Sequence, residues 1–123
     1  MKVLIIDDEG DVRSIASMSL GMVGQMDVVE ASSGGEGIAA AQREQPDVIL
    51  LDMMMPGMDG LSTIKLLKSN TATSSIPVIF LTAKAMTSEI ETLKQAGALG
   101  VITKPFNPML LTRDVQQLLA QGR

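Results

Sequence analysis

VILLDMMMPGMDG, residues 48–60, is the stretch whose reading decides the fold. Four consecutive apolar residues, Val48, Ile49, Leu50 and Leu51, lie between Pro46 and a loop carrying Pro56, Gly57 and Gly60, which suits a strand covered on both faces. The run stops on a carboxylate, Asp52. In open parallel sheets ligands bind at the carboxyl ends of the strands, so Asp52 is a candidate functional residue. The plainer alternative is an aspartate that merely starts a turn. How the other strands end separates the two.

Working outward, the chain alternates between apolar runs and helical periodicity. Upstream, Val3 to Ile6 reads as a first strand, and Val12, Ile15, Ala16, Ser19 and Val23 recur at helical spacing, predicting a helix from about Asp11 to Met22 that ends at Gly21 and Gly24. Val28 to Ala31 is a second, shorter strand. Ser33 followed by Glu36 forms a capping-box pattern that opens an Ala-rich helix through Arg43. Downstream, Leu61, Ile64 and Leu67 mark the apolar face of a third helix, with Lys65 and Lys68 expected to turn away from it. Residues 69–75 are small and polar and read as a loop. Pro77 opens a fourth strand at 78–81. Ser88 and Glu91 repeat the capping-box pattern ahead of Ile90, Leu93 and Ala96, with Gly97 as the stop. Val101 and Ile102 form the fifth strand, and Asn107 with Pro108 is a helix start ahead of Leu111, Val115, Leu118 and Leu119. Five strands alternating with five helices argue an α/β fold: a parallel sheet with helices on both faces and right-handed crossovers.

Composition narrows the chemistry. At 123 residues and 46% hydrophobic, the chain is expected to form one domain with a substantial core. A net charge of -4 gives no electrostatic reason to bind nucleic acid or an anionic membrane. The first apolar run is too short for a signal-peptide core or a membrane span, so a cytoplasmic location is expected. Cysteine, histidine and tyrosine are all absent, which removes thiolate and imidazole nucleophiles and leaves carboxylates, hydroxyls and ammonium groups.

The strand ends then form a pattern. The first strand is followed by Asp7 and Asp8, the third by Asp52, the fourth by Thr82, and the fifth by Lys104 and Pro105. All would fall on one sheet edge. Singly, each has an ordinary reading: Asp7 and Asp8 as solvated turn residues, Thr82 as a strand-end hydroxyl, Lys104 as a surface charge. Together they argue for a site. Three carboxylates gathered there repel by about 4 kcal/mol per close pair at an effective dielectric near 20, more than one lysine balances. A divalent cation does so, and hard oxygen ligands favour Mg2+ or Mn2+. A hydroxyl and an ammonium beside such a carboxylate can hold phosphoryl oxygens while the carboxylate attacks phosphorus, which makes Asp52 a candidate phosphate acceptor. No GxxxxGKS loop for nucleotide phosphates is present.

With VLIIDDE at residues 3–9, VILLDMMMPGMDG at 48–60, VIFLTA at 78–83 and ITKPF at 102–106, essentially the whole chain resembles the receiver domain of two-component response regulators. The resemblance implies a flavodoxin-like doubly wound sheet in strand order 2-1-3-4-5. It implies a signalling domain rather than an enzyme, in which Asp52 accepts a phosphoryl group from the phosphohistidine of a sensor histidine kinase or histidine phosphotransfer protein. It further implies Mg2+ held by Asp8, Asp52 and the backbone carbonyl of Met54, with Asp7 acting through water, and Thr82 and Lys104 binding phosphoryl oxygens. A cis peptide between Lys104 and Pro105 is expected, and Met54 and Lys84 occupy positions that influence phosphoryl lifetime. The downstream protein target is expected at the face formed by the fourth helix, fifth strand and fifth helix. Residues 1–123 are expected to form one receiver domain with no output domain. One departure is Val101, which stands where many receivers carry an aromatic residue that swings inward on activation.

Two other classes share parts of the pattern. A haloacid dehalogenase-type hydrolase also uses Asp, Thr or Ser, Lys and Mg2+, but places its nucleophile on the first strand and usually has a cap. A constitutive binding module would keep the fold without using Asp52. Flavin binding lacks an aromatic platform. Methionines 53, 54, 55 and 58 are expected to fill gaps beside the loop.

Overall fold

The computed structural model describes residues 1–83 and 86–122. Among these, five strands alternate with five helices: β1 (Lys2–Ile6), α1 (Gly10–Gly24), β2 (Asp27–Ala31), α2 (Gly34–Glu44), β3 (Val48–Asp52), α3 (Gly60–Ser69), β4 (Val78–Thr82), α4 (Thr87–Gln95), β5 (Gly100–Thr103) and α5 (Leu111–Gln121). All pairings are parallel, and the sheet order is β2-β1-β3-β4-β5. Because side chains alternate across a strand, the apolar runs serve both faces. Leu4, Ile6, Ile49, Leu51, Val78 and Phe80 pack with residues of α2, α3 and α4. Val3, Ile5, Val48, Leu50, Ile79 and Leu81 pack with residues of α1 and α5. β3 and β4 are buried along their whole length, as central strands between two helix layers must be.

The order has a direct consequence for function. β1 and β3 are neighbours although the chain reaches β3 only through β2, so the strand ends carrying Asp7 and Asp52 lie side by side. The register places Asp52 opposite Leu81 and Thr82 opposite Thr103.

Several helix boundaries differ from expectation, each for a local reason. α1 runs through Gly21 to Gly24 and ends where Gln25 takes a left-handed backbone (φ 52°); a mid-helix glycine costs only about 1 kcal/mol, which burial of Ala16 and Leu20 offsets. At α2, Ser33 caps the Glu36 N–H at 3.2 Å, but the Glu36 carboxylate reaches back to the Ser32 N–H and hydroxyl rather than to Ser33. The capping box expected from Ser88 and Glu91 does not form. α4 starts at Thr87, so Ser88 is already inside the first turn, and Met86 at the cap has no side-chain acceptor. Asn107 and Pro108 open a turn rather than α5. The Asn107 carboxamide accepts from the Met109 N–H at 2.9 Å, a local bond that competes with helix, and α5 begins at Leu111.

Lys68 corrects a second expectation. Lys65 is exposed, but Lys68 folds back over the polar loop and donates from Nζ to the carbonyls of Ser74 (3.1 Å) and Ile76 (2.9 Å). Its burial lowers its pKa. The same loop is pinned by Thr73, whose buried hydroxyl donates to the Leu67 carbonyl at 2.6 Å. Of the loop methionines, Met55 is buried and Met53 packs against the core, while Met58 is partly buried. Met54 departs from the gap-filling expectation and lies 77% exposed.

Candidate functional site

The site forms where β1, β3 and β5 end together. β1 stops on a fully buried Asp7, and β3 includes Asp52 as its last, buried residue. From beyond β5, the Lys104 ammonium reaches both, at 2.7 Å from Asp7 Oδ2 and 3.1 Å from Asp52 Oδ1. The Lys104 N–H donates to the Thr82 carbonyl at 2.8 Å, which anchors the backbone from which the side chain extends. The Lys104–Pro105 peptide is cis, as expected.

Asp7 is fixed from several sides. Its N–H bonds the Ala31 carbonyl at 3.1 Å, its Oδ1 accepts the Glu9 N–H at 2.9 Å, and its own carbonyl accepts from Arg13 Nη1 at 2.6 Å. Arg13 also pairs with Glu30 at 3.3 Å, tying α1 to β2. Asp52 is held less completely. Oδ1 receives Lys104 and, at 3.4 Å, the Met54 N–H, whereas the buried Oδ2 has no hydrogen-bond partner among the described residues. A buried carboxylate oxygen left unpaired is costly, and its lack of any such contact marks it as the atom open to a further ligand.

On the other side of β3, α3 closes on the loop. Asp59 caps that helix, accepting the Ser62 N–H at 2.8 Å, and this bond lowers its pKa. The Gly60 N–H donates to the Met53 carbonyl at 2.9 Å. A side chain at Gly60 would lie 2.5 Å from the Asp52 carbonyl oxygen, so only glycine lets α3 approach the end of β3 this closely. Gly57 supplies the positive φ of 75° that turns the loop. Met54, the expected source of a backbone carbonyl ligand, follows in the loop and donates its N–H to Asp52 Oδ1 at 3.4 Å.

Electrostatics follow from this arrangement. Burial and the neighbouring Asp7 charge push the Asp52 carboxyl up to about 6, against the opposing pull of Lys104. For Lys104, burial disfavours the charge, but its bonds to Asp7 and Asp52 outweigh burial and raise its pKa. Asp7, Asp8, Glu9 and Asp52 each offer a carboxylate oxygen within 4.8 Å of the others. Four such oxygens facing one ammonium leave excess negative charge, and an all-oxygen donor set fits Mg2+ or Mn2+. Asp52 Oδ2, without a hydrogen-bond partner among the described residues, is an independent sign that the set can take another ligand.

Asp7, Asp8, Asp52 and Lys104 are therefore brought together. Thr82 reaches the same edge as the last residue of β4, buried, one position past the register partner of Asp52. Lys84 lies outside the described residues. Sequence reasoning left out Glu9, which stands 3.8 Å from Lys104, and Arg13, which holds the Asp7 peptide. The run of three acids directly before a helix was the available signal for Glu9; nothing local marks Arg13.

The chain is similar to known proteins in sequence and in fold. The family model described as the response regulator receiver domain matches residues 3–116. Protein PilH of Pseudomonas aeruginosa is 34% identical over 119 residues, covering 97% of this chain and 98% of that protein. The DNA-binding dual master transcriptional regulator RpaA of Synechocystis is 37% identical over 122 residues, covering 99% of this chain and 47% of that protein. The chain spans about half the length of several curated relatives it matches. Among solved structures, the chemotaxis protein CheY4 of Vibrio cholerae superposes with a TM-score of 0.89 at 33% identity, covering 95% of this chain and 97% of the other. The Francisella response regulator 1452 receiver domain gives 0.86 at 30% identity, covering 99% and 98%.

Proposed function

Because the chain belongs to the response regulator receiver domain family, whose members are phosphorylation-dependent signalling domains, we propose that Asp52 is its phosphoryl acceptor and a phosphohistidine its donor. The single observation that carries this reading is the buried Asp52 carboxylate, with one oxygen engaged by Lys104 and the other unpartnered among the described residues. Oδ2 attacks the phosphorus of the donor phosphoimidazole. The new O–P bond forms as the N–P bond breaks, and the departing imidazole nitrogen keeps the electron pair. The product is an acyl phosphate on Asp52. Lys104 then serves the phosphoryl oxygens as a charged donor, and Thr82 supplies a hydroxyl from the end of β4.

Mg2+ fits the carboxylate set: Asp8, Asp52 and the Met54 backbone carbonyl would hold it, with Asp7 assisting through water. When bound, it neutralises the excess charge and stabilises the transferring phosphoryl group. Asp7 and Arg13 have a positioning role, since the bonds around the Asp7 peptide hold the carboxylate that receives Lys104.

The donor is a sensor histidine kinase or a histidine phosphotransfer protein, and the downstream partner is a protein that reads the α4, β5 and α5 face. Several relatives are named as transcriptional regulators, RpaA of Synechocystis as a DNA-binding one. For this domain the net charge of -4 favours a protein partner over direct contact with nucleic acid. Among the described residues, no helix is long and apolar enough to cross a membrane; a cytoplasmic location matches the expected donor.

Incubating the protein with Mg2+ and acetyl phosphate, or with a phosphorylated kinase, tests the assignment. One acid-stable, base-labile phosphoryl group per chain is expected, absent from Asp52→Asn. Equal labelling of wild type and Asp52→Asn would overturn it.

A further inference from the structure

The Lys104 ammonium faces three carboxylates, one for each of its N–H donors. Two of the acceptors belong to buried residues: Asp7 Oδ2 at 2.7 Å and Asp52 Oδ1 at 3.1 Å. The third is Glu9 Oε1 at 3.8 Å, on a side chain that is 63% exposed. That distance exceeds hydrogen-bond length, so charge alone holds the pair. Distance and exposure together make Glu9 the contact that yields most readily.

Glu9 combines an anchored peptide with a movable carboxylate. Its N–H donates to Asp7 Oδ1 at 2.9 Å, and its carbonyl accepts the Arg13 N–H at 3.1 Å where α1 begins. Glu9 is the N-cap residue of that helix, yet its side chain makes no cap hydrogen bond, so the helix does not hold the carboxylate. A carboxylate oxygen of Glu9 lies within 4.8 Å of one from each of Asp7, Asp8 and Asp52, so a group added to Asp52 falls within its field.

The consequence follows from charge. A phosphoryl group on Asp52 Oδ2 brings anionic oxygens that call on the donors Lys104 now gives to carboxylates. Asp7 is fully buried and fixed, so the contact left to give way beside Asp52 is Glu9. A Glu9 carboxylate that still draws on Lys104 opposes the phosphoryl group for the same ammonium, and it repels anionic donors that approach the site. We propose that Glu9 is a positioning residue that acts through Lys104 against the phosphoryl group: resting on Asp52 as acceptor, it shortens the life of the acyl phosphate and disfavours donors according to their negative charge.

Two variants separate charge from reach. Glu9→Gln keeps the length of the side chain and removes its charge, whereas Glu9→Asp keeps the charge and withdraws it by one methylene. Each is labelled in saturating Mg2+ with acetyl phosphate, a dianion at neutral pH, and with phosphoramidate, a monoanion. Loss of label is followed after the donor is removed, and thermal melts check folding. An exposed ion pair corresponds to roughly a two- to fivefold change in rate. Glu9→Gln is expected to retain the phosphoryl group longer than wild type by a factor in that range. It is also expected to be labelled faster by acetyl phosphate while its labelling by phosphoramidate changes little, a split that a merely structural role does not produce. Raising the ionic strength should narrow both differences. Glu9→Asp should likewise retain the group longer, since its carboxylate no longer reaches Lys104, but stay as slow as wild type with acetyl phosphate. Equal lifetimes in wild type and Glu9→Gln, or equal acceleration with both donors, would overturn the proposal while leaving Asp52 as the acceptor. A wild type that takes no label from either donor would remove the acceptor assignment and this inference with it.

Discussion

At the scale of single residues, the site is defined by a carboxylate that the folded protein would rather keep protonated. The Asp52 carboxyl is raised from 3.8 to about 6 by burial and by Asp7, so ionising it costs the metal-free native state more than it costs the unfolded chain. Stability is therefore lost as pH rises from about 4 through about 6, and it stays lost above that range. Asp52→Asn removes the ionisation, although it also weakens the contact with Lys104. In chelator-treated protein at pH 7.5 the variant is expected to be more stable by on the order of 2 kcal/mol, with the difference gone below pH 4. Thermal melts of both proteins across that range check the sign; a variant less stable at every pH would refute it. The residues behind this behaviour were legible unequally. Asp7, Asp52 and Lys104 could be read because each follows an apolar run. That Oδ2 of Asp52 lacks a partner among the described residues could not, because it depends on where Lys104 and the Met54 N–H point.

At the scale of elements, the question is how a new group on Asp52 is felt elsewhere. Thr82 ends β4, its carbonyl holds the Lys104 N–H, and β4 pairs with β5, so both residues proposed to bind the phosphoryl group sit at the ends of the strands that lead to α4 and α5. Switching a domain from mostly off to mostly on takes about 5.5 kcal/mol of differential binding. New charge-assisted hydrogen bonds to Thr82 and Lys104, at roughly 1.5–3 kcal/mol each, approach that value. Val101 is half-buried on β5 against the α4 side and has no aromatic ring to swing inward, so the response expected there is a shift of elements more than a rotamer exchange. Amide spectra recorded with and without a beryllofluoride phosphoryl mimic should change over α4, β5 and α5. Identical spectra on that face would refute the coupling. Element types were legible throughout, because apolar runs and helical spacing differ plainly. Boundaries were less so. The α4 and α5 starts moved because Ser88 and Asn107 have several local partners to choose from, and only packing selects among them.

At the scale of the whole molecule, folding concentrates negative charge at one edge of the sheet. Four carboxylates gather there, three of them within 3.8 Å of Lys104, a repulsion that a divalent cation such as Mg2+ would relieve. Ligand binding to the native state stabilises by RT ln(1 + [L]/Kd), so Mg2+ at tenfold its dissociation constant should add about 1.4 kcal/mol. For a domain of this size that is a rise of about 5 °C in melting temperature. Asp8→Asn should reduce it, and a melting temperature indifferent to Mg2+ in the wild type would argue against the metal site. The sequence alone determined which segments are strands, that both sheet faces are covered, and which carboxylate, hydroxyl and ammonium groups stand at strand ends, because these follow from local periodicity and chain stiffness. Tertiary structure alone decided that Lys104 bridges Asp7 and Asp52, that Glu9 and Arg13 join the site, that Lys68 folds inward, and that one face of α1 remains bare. Those outcomes rest on distances between residues far apart in the chain, which packing sets and no local pattern encodes.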